Sequence, residues 1–196
     1  MSSSDKPIMY VFAGNNGSGK STIRNLIIDK IGIETNIDPD GIARHLDLSN
    51  PESKRAEAGR SAIKLAKDCI KNKRSFSIET TLSGRTFLQR IKTARENGFE
   101  ITMFYLGLED VQQNIERVAL RVKNGGHHIP TEDILNRHVK SKENLIKNLP
   151  FIDNLVVMDN SNFNGEIVLE AYDNYIAYES SELPKWVLPI KEQLKR

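Results

Sequence analysis

Apolar and polar residues follow two different patterns along the chain, and these patterns predict its secondary structure. An unbroken apolar run such as residues 8–13 is typical of a strand buried in a parallel sheet, and the sequence predicts five short strands in all. They cover residues 8–13, 34–38, 76–81, 101–106 and 154–161, the last with its exit loop. Between these runs, apolar residues recur at the spacing of one face of an amphipathic helix. The alternation predicts an α/β fold in which helices cover both faces of a parallel sheet.

The two ends of the chain predict less regular structure. Residues 166–171 and 175–178 favour a small hairpin, and residues 183–194 favour a terminal helix whose continuity Pro189 opposes. The polar residues 1–7 are predicted to be a disordered leader. Since the chain has 196 residues in all, residues 8–196 suit one compact domain.

A glycine-rich stretch lies between the first strand and the first helix. Residues 14–22 fit the phosphate-loop (P-loop) pattern G-x-x-x-x-G-K-[ST] without a mismatch. Its order of strand, loop and helix argues against a glycine turn without a ligand. Lys20 is expected to reach the β and γ phosphates of a nucleotide, and Ser21 to bind Mg²⁺. The predicted nucleotide-binding residues are Gly14, Asn15, Asn16, Gly17, Ser18, Gly19, Lys20, Ser21 and Thr22.

Acidic and hydroxyl side chains follow the second and third strands. Asp38 and Asp40 leave the second strand, and Glu79 and Thr81 end the third. Because ligands gather at the carboxyl ends of parallel strands, we expect these residues beside the P-loop. Glu79 is placed to hold the water shell of Mg²⁺ or to orient a hydroxyl acceptor. For Asp38 or Asp40, the alternative is an N-cap of the following helix.

Three arginines flank a glycine-rich bend later in the chain. Arg117 and Arg121 are four residues apart on one predicted helix, and Arg137 lies in the second turn of the next. Residues 117–147 contain seven Lys or Arg against three acids. This segment predicts a helical lid whose arginines stabilise the charge of phosphoryl transfer. The alternative is a solvated pair of basic helices.

Other polar features change the picture less. Arg60 lies on the polar face of the helix over residues 49–72, either in an acceptor cleft or as a surface charge. Cys69 belongs to an apolar helical stripe and is predicted to be a core thiol. His127 and His128 have no further Cys or His at ligand spacing, so no zinc site is predicted.

Charge and hydropathy bear on compartment and partners. The net charge of +2 gives no general reason to expect nucleic acid or a membrane as partner. No apolar run approaches the roughly 18 residues of a membrane span, and residues 1–7 lack the apolar core of a signal peptide. We therefore expect a cytoplasmic protein.

The motifs taken together resemble small members of the zeta toxin family. The resemblance covers residues 8–161 and rests on the P-loop and on residues 37–40, 78–84 and 117–137. It implies a P-loop NTPase fold of the nucleoside or adenylate kinase type. It also implies Mg²⁺, with ATP or GTP as the phosphate donor, and phosphorylation of UDP-N-acetylglucosamine on the 3'-hydroxyl of the amino sugar. The resemblance would also allow partnership with a small antitoxin.

The resemblance also implies roles for single residues. Asp40 would be the base that takes the acceptor proton, with Lys20 and Ser21 on phosphate and Mg²⁺. Glu79 and Thr81 would lie beside the acceptor and the metal. The two transfer-site arginines match Arg121 and Arg137 best, although Arg117 competes with Arg121 and is otherwise a nucleotide-binding residue.

One family feature has no secure match here, and it leaves the acceptor open. The family's acidic residue on the acceptor-side helix falls at Ile63 by ungapped spacing from Glu79, with Glu57 and Arg60 only nearby. The leading hypothesis is a small-molecule kinase acting on a hydroxyl. The alternatives are a kinase of another metabolite, such as a nucleoside or a sugar, a regulatory P-loop NTPase without an acceptor, and, least favoured, a polynucleotide kinase.

Overall fold

The computed structural model of the chain describes residues 6–126, 128–162 and 164–196, with Arg85 described by its backbone alone. Residues 1–5 of the predicted leader and His127 lie outside the described residues. Of the rest of that leader, the carbonyl of Pro7 accepts a hydrogen bond from the amide of Glu100 at 2.9 Å.

The described residues form one seven-stranded sheet, ordered β2-β3-β1-β4-β5-β6-β7. The first five strands are parallel, and Val11 at the centre lies between Ile78 and Met103. Strands β6 and β7 are antiparallel to their neighbours. The strands are β1 (Ile8–Gly14), β2 (Asn36–Ile37), β3 (Phe76–Thr80), β4 (Glu100–Gly107), β5 (Asn154–Asp159), β6 (Glu166–Tyr172) and β7 (Tyr175–Glu179).

Seven α-helices accompany the sheet within the described residues. They are α1 (Lys20–Ile31), α2 (Pro39–Leu46), α3 (Arg55–Lys71), α4 (Arg85–Glu96), α5 (Val111–Lys123), α6 (Thr131–Asn148) and α7 (Leu188–Lys191). A 3₁₀ turn, Pro51–Lys54, leads into α3. Asp110 caps α5, because its side chain accepts a hydrogen bond from the amide of Gln112.

The helices pack on both faces of the sheet, as predicted. Ala62 of α3, Ile91 of α4 and Leu145 of α6 share one large core with the sheet. On the opposite face, Ile23 of α1 packs with Leu106 and other apolar residues of β4 and β5 in a smaller core. Cys69 belongs to the large core and is 1% exposed, which confirms its reading as a core thiol. Among the described residues, no helix is both long and apolar enough to cross a membrane.

The C-terminal region differs from the prediction in two respects. The hairpin of β6 and β7 continues the main sheet through antiparallel pairing with β5, so the sheet is mixed and not all parallel. The helix predicted over residues 183–194 is replaced by a 3₁₀ turn, Lys185–Val187, and the short α7. Pro189 lies in the first positions of α7, where its missing N–H costs nothing, so the chain restarts a helix there.

Candidate active site

A cleft of about 950 Å³ opens at the carboxyl ends of the parallel strands. The P-loop forms its floor, the beginnings of α1 and α2 and the end of β3 form one wall, and α5 and α6 contribute the other. Twelve of the predicted site residues line it: Asn16, Gly17, Gly19, Lys20, Ser21, Thr22, Asp40, Glu79, Thr81, Arg117, Arg121 and Arg137. The structure therefore brings together most of the residues that the sequence singles out.

The P-loop has a backbone that requires glycine at its end. Gly19 is the N-cap of α1 and has φ +94°, in the left-handed region. A Cβ on Gly19 would lie 2.2 Å from Nδ2 of Asn160. The absent side chain lets the loop and the chain after β5 approach closely enough for a hydrogen bond, from Asn160 Nδ2 to the carbonyl of Ser18 at 2.9 Å.

Two buried asparagine side chains, Asn114 and Asn15, connect the P-loop to helices α5 and α6. Asn114 of α5 is 1% exposed and donates from Nδ2 to the carbonyl of Asn16 at 2.7 Å. Asn15 donates to the carbonyl of Ile134 at the start of α6, at 3.1 Å. These contacts span about a hundred residues of sequence, and the sequence analysis did not find Asn114 or Asn160 as loop supports. The P-loop is thus clamped to the elements that carry the arginines.

Lys20 is buried inside the loop it belongs to. Its ammonium donates to the carbonyl of Asn15 at 2.8 Å. Burial lowers the pKa of Lys20, and the negative charges of Glu79 and Asp40 oppose that shift. The positive charge of Arg121 acts in the same direction as burial and lowers the pKa of Lys20 further. A bound phosphate would relieve this crowding of positive charge.

On the wall formed by α1, α2 and β3, Glu79 contacts both Ser21 and Arg24. The hydroxyl of Ser21 donates to its carboxylate at 3.0 Å. Arg24, which the sequence analysis missed, donates to Glu79 at 3.1 Å and lies 3.4 Å from Asp38. Arg24 follows Ser21 by three residues on α1, so helical spacing is the signal that would have found it.

The two aspartates after β2 have different tasks. Asp38 is the N-cap of α2, because its Oδ1 accepts a hydrogen bond from the amide of Asp40 at 3.1 Å. Asp40 lines the cleft, and its carboxylate has no hydrogen bond or ion pair with any side chain that the structure describes. The capping alternative therefore applies to Asp38 and leaves Asp40 available for chemistry.

Ser21 and Glu79 fit the oxygen donors that Mg²⁺ prefers. Their contact places a hydroxyl and a carboxylate side by side on the cleft floor. Magnesium in nucleotide sites usually takes one or two protein oxygens and completes its shell with waters and phosphate oxygens. Among the described residues, no group of three or more His, Cys, Asp or Glu could hold a metal alone.

The three arginines are held differently. Arg117 donates to the carbonyls of Asn160 and Ser161 at 2.9 and 3.0 Å, so it braces the loop after β5. Arg137 donates to Oδ1 of Asn16 at 3.0 Å and to Asp133 at 2.7 Å.

Arg121 is covered by the glycine bend. The amide of Gly126 donates to the carbonyl of Arg121 at 2.8 Å, and a Cβ on Gly126 would lie 2.5 Å from the Arg121 side chain. The bend therefore packs directly on Arg121, and glycine makes that approach possible.

Some predicted residues lie elsewhere. Arg60 is exposed on α3 and does not line the cleft, whereas Arg44 and Arg55, not found from the sequence, do. Arg55 is the first residue of α3, directly after the 3₁₀ turn Pro51–Lys54, and helix spacing alone could not indicate where that turn ends. The other predicted residues outside the cleft lining belong to the P-loop: Gly14, Asn15 and Ser18.

The chain matches known proteins by sequence. The zeta toxin family model matches residues 1–167. An uncharacterized protein of Haemophilus influenzae is 45% identical over 131 residues, which is 67% of this chain and 90% of that protein.

Chains of three solved structures share the fold. A chain of the AvrRxo1-ORF1:AvrRxo1-ORF2 complex gives a TM-score of 0.69 at 15% identity, over 92% of this chain but only 65% of the other. A second structure of that complex, with ATP, gives 0.69 at 13% over 97% and 64%. A chain of the PezAT toxin–antitoxin system of Streptococcus pneumoniae gives 0.62 at 19% over 99% and 80%.

At these identities the solved structures establish the fold alone, while the family model covers most of the chain. Together with the P-loop, the match to the family model supports a P-loop kinase. The chain belongs to the zeta toxin family.

Proposed function

We propose that this protein is a cytoplasmic kinase that transfers the γ-phosphoryl group of ATP or GTP to a hydroxyl of UDP-N-acetylglucosamine. The observation that carries the proposal is Asp40. Its neighbour Asp38 takes the helix cap, so the Asp40 carboxylate lines the cleft with no hydrogen bond or ion pair to another described residue. A protein that only binds or hydrolyses nucleotide needs no base facing an acceptor.

The phosphoryl transfer follows from this placement. The P-loop amides and Lys20 bind the phosphates, with the ammonium exchanging the Asn15 carbonyl for phosphate oxygens. Asp40 accepts a hydrogen bond from the acceptor hydroxyl and takes its proton. The acceptor oxygen bonds to the γ-phosphorus while the bond to the β,γ-bridging oxygen breaks, and nucleoside diphosphate leaves. Since the transition state is loose, Asp40 acts mainly by positioning.

Mg²⁺ supplies charge neutralisation at the phosphates when it is bound. Ser21 and Glu79 would hold it, as their adjacent oxygens indicate.

The segment over residues 117–147 acts as the lid. Arg121 and Arg137 border the P-loop from α5 and α6, where they oppose the negative charge that transfer spreads over the γ-phosphate. The electrostatic effect of Arg121 on Lys20 favours Arg121 over Arg117 for this role. Arg117 instead braces the loop after β5, and so supports nucleotide binding indirectly.

A nucleotide sugar suits the acceptor end of the cleft. Arg44 and Arg55 line the cleft together with Asp40, and Arg44 lies 3.7 Å from Asp38. Two guanidinium groups favour an acceptor that carries phosphate over a neutral nucleoside or sugar. The acceptor of the family is therefore consistent with the charges at this end.

We also propose a small antitoxin as a partner, because one similar solved structure belongs to a toxin–antitoxin system, PezAT. Co-purification with the product of a neighbouring reading frame would test this point separately from the chemistry.

The kinase proposal is tested by comparing Asp40→Asn with Asp29→Asn, an exposed aspartate of α1 that does not line the cleft. We expect Asp40→Asn to lose transfer to UDP-N-acetylglucosamine at least about 100-fold, as for loss of a positioned catalytic base, while its nucleotide affinity stays within a few fold. Asp29→Asn should match the wild type in both. Transfer at the normal rate by Asp40→Asn would contradict the role of Asp40. Nucleotide turnover in the wild type without a phosphorylated acceptor would favour another metabolite or a regulatory NTPase.

A further inference from the structure

A part-buried arginine, Arg24, contacts two acidic residues of the cleft without lining the cleft itself. The Nη1 atom of Arg24 lies 3.1 Å from Oε2 of Glu79 and 3.4 Å from Oδ2 of Asp38. Only 11% of its side chain is exposed. Arg24 is absent from the cleft lining, whereas both carboxylates belong to it.

From this geometry we infer that Arg24 is a positioning residue for phosphoryl transfer. It acts through Asp38 on Asp40, and through Glu79 on Ser21. The inference rests on the proposed kinase function and assigns to Arg24 a role that the P-loop pattern does not include.

The contact of Arg24 with Asp38 connects Arg24 to the proposed base, Asp40. Asp38 accepts the amide hydrogen of Asp40 and so fixes the first turn of α2. The same carboxylate is held by Arg24, which belongs to α1. The direction in which Asp40 leaves the chain therefore depends on an ion pair between α1 and the N-terminus of α2.

The contact of Arg24 with Glu79 connects Arg24 to the proposed magnesium-binding pair, Ser21 and Glu79. Glu79 accepts hydrogen bonds from both Arg24 and Ser21. The guanidinium therefore holds the Glu79 carboxylate beside the Ser21 hydroxyl. Partners that orient a metal-binding group in this way typically change activity or metal affinity about 10–100-fold when they are removed.

Charge balance explains why an arginine is needed. The side chains of Asp38 and Glu79 are only 18% and 13% exposed, so each carboxylate has lost much of its water. The alternative cation at Asp38 is Arg44, which is 57% exposed and at 3.7 Å, where solvent screens it. Without Arg24, the two poorly solvated carboxylates would have only Lys20 and Arg44 as neighbouring cations and would repel one another more strongly.

A second observation argues that this placement serves more than stability. The Nε atom of Arg24 is buried and has no hydrogen-bond partner among the described residues. A buried donor without a partner costs free energy, so stability alone does not favour this placement of Arg24.

The test uses the full-length protein and three variants: Arg24→Gln, Asp38→Asn and the double variant. Asparagine caps a helix as well as aspartate, so Asp38→Asn removes a charge and keeps the cap. We expect Arg24→Gln to lower kcat for transfer to UDP-N-acetylglucosamine at least about 10-fold, with nucleotide affinity within two-fold of wild type. The double variant should regain activity over Arg24→Gln, since the repulsion is gone.

Arg74→Gln is the matched control. Arg74 also forms an ion pair, with Asp68, but on the surface and outside the cleft. The inference is overturned if Arg24→Gln keeps a kcat within two-fold of this control, or if its nucleotide affinity falls as much as its kcat. It is also overturned if the double variant loses more activity than Arg24→Gln, by the product of the two single losses.

Hydrogen exchange separates a failure of this inference from a failure of the proposed function. If the wild type phosphorylates no acceptor, the proposed function fails, yet exchange at the amides of α2 still reports on Arg24. We expect faster exchange at the start of α2 in Arg24→Gln than in Arg74→Gln. Equal exchange in the two variants would contradict the role of Arg24 whatever the acceptor is.

Discussion

The substitution Gly19→Ala tests whether the P-loop is locked against the loop after β5. Gly19 and Gly32 end the same helix, α1, and both have positive φ, +94° and +66°. A Cβ on Gly32 meets nothing within 4 Å, whereas a Cβ on Gly19 lies 2.2 Å from Nδ2 of Asn160. The pair therefore separates the cost of backbone strain from the cost of the steric clash.

The expected magnitudes follow from the contacts of Asn160. Left-handed backbone costs an alanine about 1–2 kcal/mol, which is the whole penalty for Gly32→Ala. In Gly19→Ala, the Asn160 amide must also move, and it then gives up its bonds to the carbonyl of Ser18 and from the amide of Gly165. Each is worth about 0.5–1.5 kcal/mol, so the total reaches about 2–5 kcal/mol.

Urea unfolding measures both penalties. Trp186 is the single tryptophan of the chain and is buried, so its fluorescence reports on loss of the fold. A nucleotide titration of each variant completes the assay, and we expect Gly19→Ala to lose affinity while Gly32→Ala stays within two-fold. If the two variants unfold at the same urea concentration and bind nucleotide equally well, Asn160 does not lock the loop and this reasoning is wrong.

Two further predictions concern the lid and the core. Arg121→Ala should lower kcat about 100- to 1000-fold, as for loss of one donor to developing charge, with little change in nucleotide affinity, whereas Arg117→Ala should mainly weaken nucleotide binding; steady-state kinetics and calorimetry distinguish them. Burial raises the pKa of Tyr105 above its ordinary value of 10.0, although its hydrogen bond to Ser141 opposes the shift. The unfolded chain then ionises first, so stability should fall as the pH rises above 10, and less steeply in Tyr105→Phe, as measured by urea unfolding at several pH values.

Local patterns predicted the parts of the site that depend on local structure. The P-loop needs only the order of strand, glycines, lysine and helix, and residues 14–22 contain all of these. Asp40 and Glu79 follow from their position at strand ends, because parallel strands bring their carboxyl ends to one edge. The sequence could not decide whether Asp38 or Asp40 caps α2, since either aspartate fits the N-cap pattern.

Long-range contacts account for what the sequence analysis missed. Arg24 meets Glu79 across 55 residues, and Asn160 meets Ser18 across 142. Helical spacing from Ser21 could have indicated that Arg24 lies on the same face of α1, but no periodicity shows which distant side chain Arg24 or Asn160 contacts. The exchange of Arg60 for Arg55 in the cleft lining has a similar origin, because a 3₁₀ turn sets where α3 begins. The hairpin of β6 and β7 joins the main sheet for the same reason: strand pairing is decided by tertiary packing.

The most direct test of the account is the mass of the products after purified protein is incubated with Mg-ATP or Mg-GTP and UDP-N-acetylglucosamine. We predict a sugar nucleotide heavier by one phosphate group, formed together with nucleoside diphosphate and absent when EDTA removes the metal. Nucleoside diphosphate formed while UDP-N-acetylglucosamine keeps its mass would contradict the proposed acceptor.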